Sequence, residues 1–294
     1  MYVIGLDIGT TCTKALLADE QGNVLSVGSS GYPLISNGCR IEQSARDWID
    51  ASVLAIREAV KGIDAREVRG ISLSTQGSST VPVNEKGEFL GNAITWMDTR
   101  SAAEAEEIEA CLGSEYIYRT TGWKINPALD AAKIRHLRKA EEANPAAHEL
   151  SANQQSLPAL QAKKYLSTLE VVNQFLTGNP VIDPTNAAIR QLYNVEQGCW
   201  DKKLMEMADI TEKELPEVLP TGTYIGGLRK EAAEQTGLSE GIAVFNGAHD
   251  QYCASIGGGA VQEGDMLLSA GTTWVLMGIG KAPLFTESYI APGK

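Results

Sequence analysis

The stretch YVIGLDIGTTCTKALLADEQGNVL, residues 2–25, decides the fold. A β-branched, apolar run at residues 2–6 leads to Asp7, a turn follows at Gly9, and a second apolar run occupies residues 15–18. Two β-prone runs joined by turn residues predict a β-hairpin. Such a turn is open to a purely structural interpretation. It also suits an anion site, because backbone N–H groups and hydroxyls can cradle phosphate oxygens while a strand-end carboxylate holds hydrated magnesium.

A second stretch, near the end of the chain, repeats this pattern. In MLLSAGTTWVLMGI, residues 266–279, a Gly-Thr-Thr turn again separates two apolar runs. Two such hairpins in one chain favour the phosphate-binding interpretation over chance. Neither GxxxxGK(S/T) nor GxGxxG occurs in the sequence, so the P-loop and dinucleotide-binding interpretations lose their main support.

The composition is that of an ordinary globular protein of 294 residues. Its formal charge of -12 argues against binding to nucleic acid or to an anionic membrane, because such binding needs clustered Lys and Arg. The five cysteines show no CxxC pair or zinc spacing, which predicts reduced thiols and a cytoplasmic location. No apolar run approaches the ~20 residues of a membrane span.

The pattern after the first hairpin predicts alternating strands and helices. An amphipathic helix follows Ser44, whose spacing to Asp47 is that of a capping box, and ends near Gly62. A buried strand at residues 68–73 and an Ala/Glu-rich helix at residues 101–111 come next. This order predicts an α/β fold with a mixed sheet.

The second half of the chain divides into three parts. Residues 122–207 are predicted to be mostly helical, and we assign no catalytic residue to them. The stretch LPEVLPTGTYIGGL, residues 215–228, is rich in Pro and Gly and predicts a connector. A buried strand at residues 242–245 then leads to a turn with Asp250, a helix of small residues and the second hairpin.

Five motifs together resemble the FGGY family of carbohydrate kinases, a branch of the actin-like ATPase superfamily. They are GLDIGTT, ITWMDTR, LPEVLPTG, GAHDQ and LSAGTT, at residues 5–11, 94–100, 215–222, 247–251 and 268–273. The resemblance implies an α/β, ribonuclease H-like actin-type domain with a mixed β-sheet flanked by helices, at residues 1–245. It implies the start of a second similar domain at residues 246–294. The family's adenosine-binding residues would lie beyond this N-terminal portion, so the chain alone is expected to be inactive.

The resemblance assigns roles to individual residues. Asp7 would hold magnesium bound to the phosphates of ATP, and Asp250 would be the catalytic base. The two Gly-Thr-Thr turns would bind phosphate through Thr10, Thr11, Gly271, Thr272 and Thr273. The substrate-binding residues would be Gln76, Gly77, Ser78, Trp96, Asp98, Asp250 and Gln251.

Structural alternatives stand beside some of these assignments. Asp250 could instead cap the helix that follows it, since Asp is a favoured N-cap residue. Trp96, Asp98 and Arg100 could form ordinary strand-end packing with a local ion pair. We interpret His249 as structural, because neighbouring residues on a turn point in different directions.

The implied activity is ATP-dependent transfer of the γ-phosphate to a hydroxyl of a small sugar or polyol, with a ketose such as xylulose favoured. The stretch TQGSS, residues 75–79, departs from the Met-His pair of xylulokinases and the Arg-Glu pair of glycerol kinases, so the sugar stays open. Gln76 and Ser78 can hydrogen bond to neutral hydroxyls. The implied cofactors are ATP and Mg²⁺. Neither nucleic acid nor membrane is an expected partner, and the oligomeric state is open, a homodimer included.

Two other functions are compatible with the same motifs. The chain could be a non-catalytic sugar-binding or regulatory module derived from such a kinase. It could also be an actin-like ATPase that activates another enzyme or carries a polymer. The two aspartates and both Gly-Thr-Thr turns favour the kinase, since a pure binding module gains little from keeping them.

Overall fold

The computed structural model describes residues 1–143, 162–270, 274–283 and 285. In chain order its elements are β1 (Tyr2–Ile8), β2 (Cys12–Asp19), β3 (Val24–Gly31), β4 (Ile35–Asn37), β5 (Arg40–Gln43), α1 (Ala45–Ala59), β6 (Val68–Thr75), β7 (Val81–Val83), β8 (Ala93–Ile94), α2 (Ala102–Leu112), α3 (Ser114–Thr121), α4 (Asp130–Ala143), β9 (Lys164–Leu166), α5 (Thr168–Thr177), α6 (Pro184–Ile189), β10 (Tyr193–Asn194), β11 (Cys199–Trp200), α7 (Lys202–Met207), β12 (Tyr224–Gly227), α8 (Lys230–Thr236), β13 (Ala243–His249), α9 (Asp250–Gly257), β14 (Met266–Ala270) and β15 (Trp274–Gly278). Short 3-10 helices lie at Ala65–Glu67 and Glu212–Glu214.

The main sheet has six strands in the order β12-β13-β6-β1-β2-β3. β1, β6 and β13 run parallel, whereas β2 pairs antiparallel with β1 and β12 pairs antiparallel with β13. This mixed sheet with flanking helices confirms the predicted α/β fold. The first hairpin is also confirmed, and both of its strands belong to the main sheet, where β1 lies beside β6 at the centre.

The register of the parallel strands brings three chain segments together. Ile8 and His249 both lie opposite Thr75, one on each side of β6. The residues that follow these three strands therefore meet at one edge of the sheet. We call this the carboxyl edge, and define it as residues 9–11, 76–78 and 249–251.

Helix α1 covers one face of the first three strands, because its apolar residues recur at helical spacing. Its fully buried Trp48 lies in the main core with Ile56. A Cβ on Gly28 of β3 would lie 2.1 Å from the carbonyl oxygen of Ala55, so only glycine allows the helix to come this close. Ser44 is the N-cap residue, as predicted, but its side chain makes no capping hydrogen bond, so the predicted capping box is wrong.

The predicted connector at residues 215–228 is wrong in part, because β12 lies within it. This strand is the edge of the main sheet, and its pairing with β13 is irregular between Tyr224 and Gly226. Gly226 has φ +139, a conformation that disfavours other residues. Edge strands tolerate glycine and irregular pairing. A sequence rich in Pro and Gly can therefore form an edge strand, although this composition is more typical of a connector.

The second hairpin forms a two-stranded sheet of its own from β14 and β15. Its turn residues Gly271, Thr272 and Thr273 lie outside the described residues. In the part of the chain with assigned structure, no helix combines the length and the apolar character that crossing a membrane requires.

Candidate active site

Two predicted carboxylates approach each other at the carboxyl edge. Asp7 accepts a hydrogen bond from Ser74 Oγ, with 2.7 Å between the oxygens. Burial raises the pKa of Asp7, and the charge of Asp250 adds to that effect, while the Ser74 bond and Lys14 oppose it. The pair therefore forms a local concentration of negative charge that favours a cation.

The donor set fits Mg²⁺ in one specific way. Within the described ranges, no group of three or more His, Cys, Asp or Glu side chains could enclose a metal. Mg²⁺ keeps several waters and is commonly bound through one or two carboxylates together with substrate phosphates. Asp7 therefore suits a hydrated magnesium ion that arrives with a nucleotide, and the site does not resemble a protein-enclosed metal site.

The carbonyl groups of the first turn are all held by hydrogen bonds. Tyr32 donates from its hydroxyl to Gly9 O (2.6 Å) and from its backbone N–H to Thr11 O (3.1 Å), and Gln43 Nε2 donates to Thr10 O (2.6 Å). The described residues provide no acceptor for the backbone N–H groups of Thr10 and Thr11. A turn with fixed carbonyls and available N–H donors is suited to bind an anion.

The structure brings Trp96 to this turn but places Asp98 in an ion pair. Trp96, which is 37% exposed, donates from Nε1 to Thr10 Oγ1 at 3.2 Å. Asp98 is fully buried and accepts from the Arg100 guanidinium and from the Ile41 N–H. Burial alone would raise the pKa of Asp98, but these hydrogen bonds outweigh it and hold the pKa below its ordinary value. The predicted structural alternative, a local ion pair, is therefore present.

Gln76 is held in place and keeps one group available. Its backbone N–H donates to Ile8 O at 2.9 Å, and its Nε2 donates to Gln43 Oε1 at 3.0 Å. Trp48 Nε1 donates to the same Gln43 oxygen at 3.2 Å. The Oε1 atom of Gln76 is buried and has no hydrogen-bond donor among the described residues. Because buried polar atoms are normally paired, this oxygen is a candidate acceptor for a substrate hydroxyl.

The hydroxyl and carbonyl groups of Ser78 form hydrogen bonds within the protein, so they are not open to a ligand. Ser78 adopts the left-handed conformation with φ 52, which is uncommon for a residue other than glycine. Its Oγ donates to Asp130 Oδ1 at 2.7 Å, and its carbonyl accepts from Lys133 Nζ at 2.6 Å. The neighbouring Gly77 packs against the ring of His249 in β13 and the side chain of Ile189 in α6, where a Cβ would not fit.

The partners of Ser78 belong to a buried charge network that the sequence analysis missed. Asp130 accepts from Arg190 Nε, and Arg190 Nη1 donates to Glu170 at 3.2 Å. Burial lowers the pKa of Lys133 to about 8 and raises the pKa of Glu170 to about 7. The one available signal was the Ser167–Glu170 spacing, since these residues form a capping box at the start of α5.

Asp250 is the first residue of α9, and His249 is the N-cap. No side chain caps this helix, so the alternative that Asp250 serves as its cap is wrong. The carboxylate atom Oδ1 is buried without an aligned hydrogen bond, and so is Oε1 of Gln251. Burial lowers the pKa of His249, while the charges of Asp250 and Asp183 oppose this shift.

Known proteins are similar to this chain over most of its length. Residues 2–257 match the N-terminal domain of the FGGY family of carbohydrate kinases. The chain is 28% identical to gluconokinase from Bacillus subtilis (strain 168), over 97% of this chain and 53% of that protein. It is 30% identical to glycerol kinase from Natranaerobius thermophilus (strain ATCC BAA-1301 / DSM 18059 / JW/NM-WN-LF), over 98% of this chain and 56% of that protein.

A solved structure agrees with these relatives. The ligand-bound xylulose kinase from Lactobacillus acidophilus superposes with a TM-score of 0.84 and 28% identity, over 94% of this chain and 53% of that one. The chain spans about half the length of the curated relatives it matches. Since the family match covers most of the sequence, the chain belongs to the FGGY family of carbohydrate kinases.

Proposed function

We propose that the protein acts as an ATP-dependent carbohydrate kinase, transferring the γ-phosphoryl group of ATP to a hydroxyl of a small sugar or polyol. The observation that carries this proposal is the meeting of Asp7, the Thr10–Thr11 turn and Asp250 at the carboxyl ends of β1 and β13, which lie on either side of the parallel strand β6. The names of the relatives, gluconokinase, xylulose kinase and glycerol kinase, support the same reaction class.

The residues divide the reaction between them. Asp250 accepts the proton of the acceptor hydroxyl as its oxygen forms a bond to the γ-phosphorus, and the bond between that phosphorus and the β,γ-bridging oxygen breaks to release ADP. The N–H groups of Thr10 and Thr11 bind phosphate oxygens, and Gly271, Thr272 and Thr273 are proposed as the second phosphate turn. Asp7 would hold hydrated Mg²⁺, and the ion would supply positive charge that neutralises the phosphates.

Gln76 and Gln251 are the proposed contacts to acceptor hydroxyls. Both present a buried side-chain oxygen without a donor among the described residues. Gly77, Ser78, Trp96, Asp98 and Asp250 complete the predicted substrate wall, although Ser78 and Asp98 contribute mainly by fixing its shape. Arg100 and Lys133, which lie beside Asp98 and Ser78, already bond to carboxylate and carbonyl oxygens, so neither is free to pair with the carboxylate of a sugar acid. A neutral ketose such as xylulose, or a polyol, is therefore favoured over a sugar acid.

The domain division is part of the same proposal. Residues 1–245 form the first domain and residues 246–294 begin a second, with β13 crossing the boundary. The hairpin of β14 and β15 exposes Met266, Leu268, Trp274 and Leu276, and large apolar side chains in such a group are typical of a surface that packs against another layer. A cytoplasmic location is proposed because all five cysteines are free.

A coupled assay of ADP release tests the kinase against the non-catalytic binding module. We expect turnover with ATP, Mg²⁺ and one of D-xylulose, glycerol and D-gluconate in the protein expressed from its complete gene. Asp250→Asn keeps the side-chain shape but removes the base, and a base typically contributes ~10²–10⁴ in rate. We expect that variant to bind the acceptor, measured by calorimetry, while losing more than nine-tenths of kcat. Acceptor binding without any wild-type turnover would support the binding module instead.

A further inference from the structure

The ring of His249 occupies the space beside Gly77. A Cβ added to Gly77 would lie 2.6 Å from His249 Cδ2 and 2.8 Å from Ile189 Cγ2, closer than such contacts allow. The backbone N–H of His249 donates to Thr185 Oγ1 at 2.9 Å, which fixes the end of β13. The ring also meets Tyr252 edge to face, with 6.1 Å between centroids. The imidazole is thus held on several sides at the carboxyl edge.

One polar atom of this ring faces Asp250. His249 Nδ1 lies 3.3 Å from Asp250 Oδ1. Both atoms are buried, their contact is not aligned as a hydrogen bond, and neither has a hydrogen-bond partner in the described part of the chain. Because a buried polar atom without a partner is costly, a small rotation that aligns this pair is favourable. The Oδ2 atom then remains as the carboxylate oxygen available to an incoming hydroxyl.

We propose that His249 is a positioning residue for Asp250: its neutral imidazole, protonated on Nδ1, donates to Oδ1 and fixes the carboxylate so that Oδ2 receives the substrate proton. This inference rests on the proposed function, in which Asp250 is the base. It replaces the structural interpretation of His249. The pairing follows a general arrangement in which a third group orients a catalytic base, and orientation is a large part of the rate in reactions governed by positioning.

The protonation state of the ring is consistent with this role. Burial disfavours the imidazolium form of His249, so its pKa is lowered even with Asp250 and Asp183 nearby. A neutral imidazole carries one N–H, and the hydrogen-bond partner decides which nitrogen holds it. An acceptor carboxylate at Nδ1 favours the Nδ1-protonated tautomer.

The tautomer can be measured directly in the protein without any assay of activity. The chain contains three histidines, so a long-range ¹H–¹⁵N spectrum of histidine-labelled protein is simple enough to assign, with His249→Asn identifying the signals that disappear. We expect the Nδ1–H tautomer at neutral pH. A His249 ring protonated on Nε2, with Nδ1 free, would overturn the proposal.

A matched pair of variants tests the consequence for catalysis. The side-chain amide of Asn can place a donor where Nδ1 lies, whereas Leu has similar size and no donor. With the acceptor that gives the highest turnover among D-xylulose, glycerol and D-gluconate, we expect His249→Leu to lower kcat about tenfold to hundredfold, the range for losing a hydrogen bond to a charged group. We expect KM for ATP to change less than about twofold and His249→Asn to retain kcat within about threefold.

The outcomes separate this inference from the proposed kinase function. Equal losses in His249→Leu and His249→Asn, with unchanged thermal unfolding, would overturn the role of the hydrogen bond. Unchanged kcat in both variants would also overturn it. Absence of turnover in the wild-type protein expressed from its complete gene would instead refute the kinase function, and the positioning role with it, even where the spectrum shows the Nδ1–H tautomer.

Discussion

The two Gly-Thr-Thr hairpins share a local sequence pattern and differ in almost everything that surrounds them. In the first hairpin, Ile4, Leu6 and Leu17 are buried in the main core between the sheet and its helices. In the second, Leu268 is 53% exposed and Trp274 is 71% exposed. The comparison teaches that alternation and a turn specify a hairpin locally, whereas burial of its faces depends on the layers that pack against it.

The same contrast holds for the chemistry of the two turns. The first hairpin carries Asp7 two residues before its glycine, and the second carries Ser269 at the matching position. Tyr32 and Gln43 hold the carbonyl groups of the first turn. The first hairpin has a carboxylate on a central strand and a turn whose carbonyl groups are fixed by hydrogen bonds. We therefore propose that it binds both the metal and the phosphates.

The largest expected difference between the hairpins is in stability. Leu6→Ala removes a fully buried side chain from the central strand and should lower the free energy of unfolding by about 2–5 kcal/mol. Leu268→Ala removes a half-exposed side chain and should change it by less than about 0.5 kcal/mol. Urea denaturation followed by circular dichroism measures both. Equal losses would show that the second hairpin is as firmly packed as the first.

The strand-end carboxylate gives the next difference. Asp7→Asn removes the proposed anchor for hydrated magnesium, so we expect kcat to fall about a hundredfold and the half-saturating Mg²⁺ concentration to rise. Ser269→Ala, at the matching position, should change kcat less than about twofold because a hydroxyl carries no charge. Turnover measured across a Mg²⁺ titration checks both variants. An unchanged Mg²⁺ dependence in Asp7→Asn would contradict the assignment of Asp7.

The sequence predicted correctly those elements that depend on local patterns of turn residues and apolar residues. The first hairpin, the strand that precedes Asp250 and the main helices were predictable, because glycine turns and apolar periodicity are local signals. The motifs predict roles for Asp7 and Asp250, and the parallel register brings both residues to one edge together with Gln76, whose stretch departs from the family pattern. Predictions that depended on contacts made only in the folded protein were less reliable. The Ser44 side chain makes no capping bond, and β12 is a strand because it pairs with β13.

The buried charge network could not have been predicted from pattern alone. Asp130 and Lys133 lie in a helix rich in charged residues, and such a pattern usually indicates a solvated face. Their burial depends on Ser78, more than fifty positions away, which adopts a left-handed conformation and bonds to both. Nonlocal pairing of this kind leaves no periodic signal in a single sequence.

That network makes the stability of the first hairpin's domain sensitive to pH. Burial raises the pKa of Glu170 from 4.5 to about 7, so the folded state binds a proton more tightly than the unfolded state. The stabilisation from this proton is fully present below pH 4.5 and is lost as pH rises through about 7.

We expect this loss to be about 1–3 kcal/mol in the wild-type protein, and to be absent from Glu170→Gln, which cannot ionise. Urea denaturation at intervals between pH 4.5 and 7.5 measures the difference between the two proteins. Hydrogen exchange in β14 and β15 should not follow this dependence, because the second hairpin lies outside the network. A constant difference between wild type and Glu170→Gln across this range would refute the raised pKa.

The smallest expected effect compares the tryptophans beside the two turns. Trp96 donates to Thr10 Oγ1, whereas Trp274 directly follows the second turn and is largely exposed. Trp96→Phe keeps the ring but removes the donor, and a neutral hydrogen bond contributes only about 0.5–1.5 kcal/mol. Because Trp96 is itself more than one-third exposed, we expect the lower part of that range, a rise of about twofold to fivefold in KM for ATP with kcat nearly unchanged. Trp274→Phe should leave KM within about 1.5-fold, because it removes no hydrogen bond seen in the described residues. Initial rates at varied ATP measure both variants, and a larger change in Trp274→Phe than in Trp96→Phe would assign the more important phosphate turn to the second hairpin.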